Sequence, residues 1–315
     1  MNKKTIRIGL DIGGTKIAAV ATNSQQQPLA QAVYPTNSAT PNVFIHGVAN
    51  AISDILCQAE AHTADIAAIG VGIPGQVNQQ TGHIHQAVNL NLDNFPLRTA
   101  LQQQYDCSVR IENDVAAAAI GAYHHLQQTT PTLHHIAYIG IGTGLAAGLI
   151  LNGRLYRGAN GMAGEIGHVM VEPGGALCNC GARGCLETIV AGPAIARQAA
   201  EFLPVPIAAD DVYTAAQKNV QQAVTLVQRV TAFLAQAIQW LMMAYDVEKV
   251  VLGGGVANVG ALFLDPILQT FARLRHQSPL AQAMLPNDKI TLLPSGYNPG
   301  LWGAVHLAEQ AVFIP

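Results

Sequence analysis

Two stretches of this 315-residue chain repeat one device, IGLDIGGTKIA at 8–18 and YIGIGTGLAAG at 138–148. Each has an alternating apolar run, a glycine turn and a second apolar run. Ile6, Ile8 and Leu10 share one face, as do Ile17, Ala19 and Ala21, so period-2 alternation predicts a β-hairpin. The second copy runs on through Leu145–Leu151 to Asn152-Gly153, a pair that favours the tight turn of a further hairpin. Two such starts suggest a duplicated α/β unit. The length exceeds what a single core usually organises and predicts two domains with a cleft between them.

Between these starts, Phe44–Ala61 has helical apolar spacing, and Ile66–Ile73 reads as a buried strand. Val109–Ile111 reads as a strand that enters a helix over Val115–His124. Helices are expected to dominate from Pro193 to Ala244. A strand at Lys249–Leu252, the turn Gly253-Gly254-Gly255 and another helix should follow, and Gly300–Ala311 should be helical.

Half the residues are hydrophobic and 11% are charged, so a globular chain is expected. A net charge of −3 offers no surplus of cations for a phosphate backbone or an anionic bilayer. Nucleic-acid and membrane partners are therefore not expected. The opening MNKKTIRIGLDIGGTK is interrupted by Arg7, Asp11 and Lys16 where a signal peptide needs an unbroken apolar run. It reads as a strand beginning by Thr5. The most apolar helical stretch, Ala232–Tyr245, contains Gln236 and Gln239 and is too short to span a bilayer. These readings place the protein in the cytosol.

Three glycine turns are candidate nucleotide sites. In Asp11-Ile12-Gly13-Gly14-Thr15-Lys16, missing β-carbons let backbone amides approach an anion, and Asp11 can hold a hydrated Mg²⁺. The turn can equally be a plain hairpin. It is not a P-loop, because Thr15-Lys16 reverses the Lys-Ser/Thr order and a strand follows it. Gly142-Thr143-Gly144-Leu145-Ala146-Ala147 fits the dinucleotide fingerprint in letters, but a strand follows where that motif needs a helix. A phosphate-cradling hairpin fits better. Gly253-Gly254-Gly255 could dock an anion or a flat base, or could simply allow close strand-helix packing.

Glu112-Asn113-Asp114 lies where a strand becomes a helix. Asn113 or Asp114 suits the helix N-cap, and the rigidity of that position also suits a general base. Asp114 would take the proton of a sugar hydroxyl attacking a γ-phosphorus, with Asn113 orienting the sugar. The most specific spacing is Gly164-Glu165-Ile166-Gly167-His168 followed by Cys178-x-Cys180-Gly-x-x-Gly-Cys185-x-Glu187. His168, Cys178, Cys180 and Cys185 form a closed Cys₃His set, which suits structural Zn²⁺. A redox thiol pair or a solvent loop is the alternative. A pinned loop would turn Glu165, Glu187 and one edge of His168 toward a polyhydroxyl ligand. Cys57 and Cys107 read as small core residues.

These motifs, with GIPG at Gly72–Gly75, resemble the ROK family of bacterial-type sugar kinases and sugar-responsive repressors over nearly the whole chain. The resemblance implies a two-domain actin-like ATPase (ribonuclease H-like) fold with an interdomain cleft. Residues 1–115 would form the first domain, 300–315 would pack back on it as a helix, and 116–299 would form the larger second domain carrying the zinc loop. It also implies ATP with Mg²⁺ at Asp11, Gly13, Gly14, Thr15, Lys16, Thr143, Gly144, Gly254 and Gly255. Sugar contacts would come from Gly75, Asn113, Asp114, Glu165, His168 and Glu187, with Asp114 as base and His168 shared between metal and sugar. A homodimer is implied.

Two departures stand out, Leu145-Ala146-Ala147 where many relatives have more glycines, and no tryptophan in Asn89-Leu90-Asn91-Leu92. The acceptor expected first is glucose, with N-acetylmannosamine or fructose as alternatives. A sugar-sensing regulator would need a DNA-reading module upstream of the first strand.

Overall fold

The computed structural model describes residues 6–205 and 207–312; the expected strand start at Thr5 lies outside them. The chain forms two compact units. Unit one comprises residues 1–131, 157–162 and 298–315, and unit two comprises 132–156 and 163–297.

Unit one begins with β1 (Ile6–Ile12), β2 (Lys16–Thr22) and β3 (Pro28–Pro35), an antiparallel meander. Helix α1 (Pro41–Gln58) follows. Then come β4 (Ile66–Ile73), the short strands β5 (Gln76–Val77), β6 (Ile84–Ala87) and β7 (Leu92–Phe95), helix α2 (Leu97–Tyr105), β8 (Ser108–Asn113) and helix α3 (Asp114–Gln127). The main sheet has the order β3-β2-β1-β4-β8, with β4 and β8 parallel to β1. Strands β5, β6 and β7 form a separate small sheet.

Unit two repeats this plan. Its strands are β9 (Ile136–Ile141), β10 (Leu145–Leu151), β11 (Arg154–Tyr156), β12 (Lys249–Gly253) and β13 (Ile290–Leu292). Their order is β11-β10-β9-β12-β13, an antiparallel meander followed by two parallel strands. The repeated hairpin signal thus marks the first two strands of each sheet. Helices α4 (Glu187–Val190), α5 (Gly192–Ala199), α6 (Ala209–Gln217), α7 (Gln221–Tyr245), α8 (Ala261–Gln277) and α9 (Pro279–Met284) fill the long crossover and the segment before β13. The Gly253-Gly254-Gly255 turn leads into a 3₁₀ turn, Gly255–Val259, before α8. Among the described residues, no helix is long and apolar enough to cross a membrane.

Both faces of the first sheet are covered, which explains why β1 and β2 are buried at nearly every position despite their alternation. Ile6, Ile8, Leu10 and Ile12 pack in one cluster with Phe44, Val48, Ile52 and Ile55 of α1. On the other face lies α10 (Pro299–Val312), where Leu301 and Val305 meet Ala18 and Val20. Its backbone comes so close that a β-carbon on Gly70 would collide with the Ala304 carbonyl. Glycine in β4 is therefore a packing requirement at that point.

Helix α3 belongs to unit one, beyond the boundary expected at residue 115. A β-carbon on Gly121 would collide with the Pro299 carbonyl, and one on Gly303 with the Ala117 carbonyl, so α3 and α10 meet backbone to backbone. Arg157–Met162 also belongs to unit one, a return that no local sequence pattern announced. Cys57 is exposed on α1, which corrects its core reading, whereas Cys107 is half-buried and packs against the core cluster. The buried face of α1 runs through Val48, Ile52, Ile55 and Leu56, and Cys57 falls outside it.

Candidate active site

The first group of candidate residues sits at the β1–β2 turn of unit one. Gly13 N donates to Lys16 O at 2.7 Å, and the Thr36 hydroxyl donates to Gly13 O at 2.8 Å. The Gly13 amide thus closes the turn in this structure. Thr15 and Lys16 are exposed at the tip. Asp11 accepts from Asn298 Nδ2 at 3.0 Å. Burial pushes the Asp11 carboxyl above its usual range, and the Asn298 hydrogen bond offsets part of that rise. Asn298 Oδ1 also accepts from Leu301 N at 3.1 Å, so one side chain both caps α10 and orients Asp11.

The second group forms the β8–α3 junction of the same unit. Asn113 is the N-cap, its Oδ1 accepting from Val115 N at 2.9 Å and from Ala116 N at 3.2 Å. Its Nδ2 donates to Gly75 O at 3.1 Å. Gly75, with φ of 101°, thereby orients Asn113 through its carbonyl. One Nδ2 hydrogen of Asn113 remains for a ligand. Asp114 opens α3, and its Oδ1 accepts from Val115 N at 2.9 Å.

Below them Glu112 is buried. Its Oε2 accepts from Arg157 Nε at 2.9 Å and Nη2 at 2.7 Å, and its Oε1 accepts from Gln79 Nε2 and, at 3.3 Å, from Asn113 N. Burial raises the Glu112 carboxyl above its usual range, and the Arg157 guanidinium pulls it part of the way back.

The third group lies in unit two. At the β9–β10 turn, Gly142 N donates to Gly144 O at 3.0 Å. Thr143 and Gly255 line one cavity of about 390 Å³ together with Gly142, Gly192, Asp210 and Val256, a volume in the range of small-molecule sites. Gly254 has φ of 86° and packs against Ile141 at the end of β9, so it shapes the turn beside the cavity.

The loop after β11 gathers the metal candidates. One ligand atom from each of His168, Cys178, Cys180 and Cys185 lies within 4.8 Å of the others. His168 Nδ1 is 3.6 Å from Cys178 Sγ, and Cys180 Sγ is 3.6 Å from Cys185 Sγ. Zn–S bonds of about 2.3 Å at tetrahedral angles place sulfurs about 3.8 Å apart, so the donor set fits a tetrahedral cation of that kind. Desolvation pushes the Cys178 thiol up and the Cys185 thiol up to about 12, whereas the Ala182 backbone amide lowers that of Cys180. A bound cation would favour the thiolates at the two buried positions.

His168 Nε2 points the other way, 3.8 Å from Glu165 Oε2, and both side chains are partly exposed. Glu187 accepts from Leu145 N at 3.0 Å through Oε2.

The ROK family profile matches residues 7–311. This chain belongs to the ROK family. It is 34% identical to a glucokinase of Halalkalibacterium halodurans over 84% of each chain. It is 31% identical to an N-acetylmannosamine kinase of Haemophilus influenzae, covering 84% of this chain and 86% of the relative. The crystal structure of a ROK family glucokinase from Streptomyces griseus in complex with glucose and AMPPNP superposes with a TM-score of 0.77. That pair shares 29% identity over 97% of this chain and 99% of the other. The fold is the actin-like ATPase fold of the ROK sugar kinases, and the two matching sheets are its two ribonuclease H-like halves.

Sequence reasoning missed three residues that serve these groups. Asn298 reaches Asp11 across 287 residues, while Arg157 and Gln79 reach Glu112 across 45 and 33. Arg157 carried a weak signal as a cation just past a hairpin in a chain with few charges. Asn298 and Gln79 carried none.

Proposed function

We propose that this chain, an ATP-dependent sugar kinase of the ROK family, phosphorylates a hexose hydroxyl, with glucose preferred and glucose 6-phosphate as product. Asp114 accepts the hydroxyl proton as the sugar oxygen bonds to the γ-phosphorus. The bond from that phosphorus to the β,γ-bridging oxygen breaks, and ADP leaves. Asp11, oriented by Asn298, would hold a hydrated Mg²⁺, whose chemistry would be to offset phosphate charge. The Thr143–Gly144 turn faces the phosphates, and the cavity bounded by Thr143 and Gly255 takes the nucleoside. In unit two, Glu165 and His168 offer groups suited to sugar hydroxyls, and in unit one so does the remaining Nδ2 hydrogen of Asn113.

His168, Cys178, Cys180 and Cys185 would hold Zn²⁺, whose contribution is to fix the loop. The observation that carries the reading is the split use of His168. Nδ1 faces the cysteines and Nε2 stands beside Glu165, which gives a fixed donor and acceptor edge outside the metal cluster.

A second reading, N-acetylmannosamine as the acceptor, is favoured by the absence of tryptophan in Asn89–Leu92 and by the likeness to N-acetylmannosamine kinases. ADP release and sugar phosphate formed from Mg-ATP with glucose, N-acetylmannosamine and fructose separate these readings. Glucose should give the highest kcat/KM. No sugar raising ADP release above the sugar-free rate would contradict the kinase assignment.

A further inference from the structure

Glu187, expected at the sugar, is held by a backbone amide of the β9–β10 turn. Oε2 accepts from the backbone amide of Leu145 at 3.0 Å. The fit is close enough that a β-carbon on Gly144 would lie 2.7 Å from the same oxygen. Oε1 faces Cys178 Sγ at 3.9 Å, and Glu187 follows Cys185 by two residues. The strand leaving the turn is tied to the same loop elsewhere. Ala147 N donates to Gly164 O at 2.8 Å, and a β-carbon on Gly167 would collide with the Leu145 carbonyl. The turn is closed by Gly142 N on Gly144 O at 3.0 Å and held at its start by Gly192 N on Gly142 O at 2.9 Å, and the bond from Leu145 N to Glu187 is the side-chain restraint at its far end.

We infer that Glu187 is a positioning residue of the nucleotide side, holding the Gly142–Leu145 turn against the Cys₃His loop so that the loop's order sets the affinity for nucleotide phosphates. The inference rests on the reading of that turn as a phosphate turn. A carboxylate accepting a backbone amide is a charge-assisted bond. Without it, a turn with two glycines in three residues keeps its backbone bonds at Gly142 but loses the side-chain restraint at Leu145, and it gains freedom that must be lost again when an anion binds. A glutamate that only contacts sugar would have no influence on nucleotide binding when sugar is absent.

The test is titration calorimetry of Mg-ADP with no sugar present, on wild type, Glu187→Ala and Glu187→Gln, with metal content measured for each. Glu187→Ala should retain its metal and bind Mg-ADP about tenfold more weakly, as expected for the loss of one charge-assisted bond. Glu187→Gln keeps an acceptor oxygen and should stay within about threefold of wild type. A metal-loaded Glu187→Ala that binds Mg-ADP like wild type overturns the inference, while a wild type that binds no Mg-ADP overturns the phosphate-turn reading itself and the inference with it. Should Glu187→Ala not fold, amide exchange in wild type decides. Chelation should speed exchange at Leu145 and leave α7 protected, and unchanged exchange at Leu145 would count against the coupling.

Discussion

Replacing Arg157 with Met removes the cation paired with Glu112, a carboxylate that has 4% of its side chain exposed. Two guanidinium hydrogen bonds to Glu112 Oε2 are lost. Breaking a buried pair on one side costs about 3–5 kcal/mol. Here 38% of the Arg157 side chain is exposed, and Gln79 and the Asn113 amide still solvate Oε1. Screening and those bonds reduce the expected loss to about 2–3 kcal/mol at neutral pH.

The loss depends on pH, with a definite sign. Burial already holds Glu112 above its usual value of 4.5 despite Arg157, and removing the guanidinium raises it further. A carboxyl raised in the folded state keeps its proton after the unfolded chain has lost one. Stability is then whole below about 4.5 and declines as pH climbs through the folded value. The variant's penalty should accordingly be about 1 kcal/mol or less near pH 5 and reach its full size by pH 8. Urea midpoints for wild type, Arg157→Met, Glu112→Gln and the double variant at both pH values measure this, and the double variant should recover more than half the loss at pH 8. An equal penalty at the two pH values, or strictly additive single losses, would refute the assignment of Glu112 as a charge that Arg157 compensates.

Replacing Cys180 with Ser should lower bound metal from about one ion per chain to well below that and reduce thermal stability, read by metal analysis and a melting curve. Asn298→Ala removes the donor that holds Asp11 down, so the Asp11 carboxyl should rise further; the acid limb of the rate profile should move to higher pH, and the Mg²⁺ concentration for half-maximal rate should increase.

Patterns of short range were legible in the sequence. The hairpins, α1, α3 and α7 follow from apolar period, and the Cys₃His loop follows from ligand spacing, because those signals lie within one element. The placement of α3 was not legible, since the collisions that glycine avoids at Gly121 and Gly303 involve segments far apart in the chain. The bonds that Gly13, Gly75 and Glu187 make within the fold were not legible for a related reason. A residue type announces which bonds a group can make, whereas the fold decides where they are spent, as when Gly13 N closes its own turn and Glu187 holds Leu145. Asn113 shows both at once, being a cap whose second amide hydrogen is left for a ligand.

The most direct measurement is steady-state turnover and sugar affinity of Asp114→Asn under saturating Mg-ATP. The substitution preserves shape and removes the base, so kcat should fall by about 10²-fold or more while the dissociation constant for the preferred sugar stays near that of wild type. A variant that turns over at the wild-type rate would contradict the account of how this chain phosphorylates its sugar.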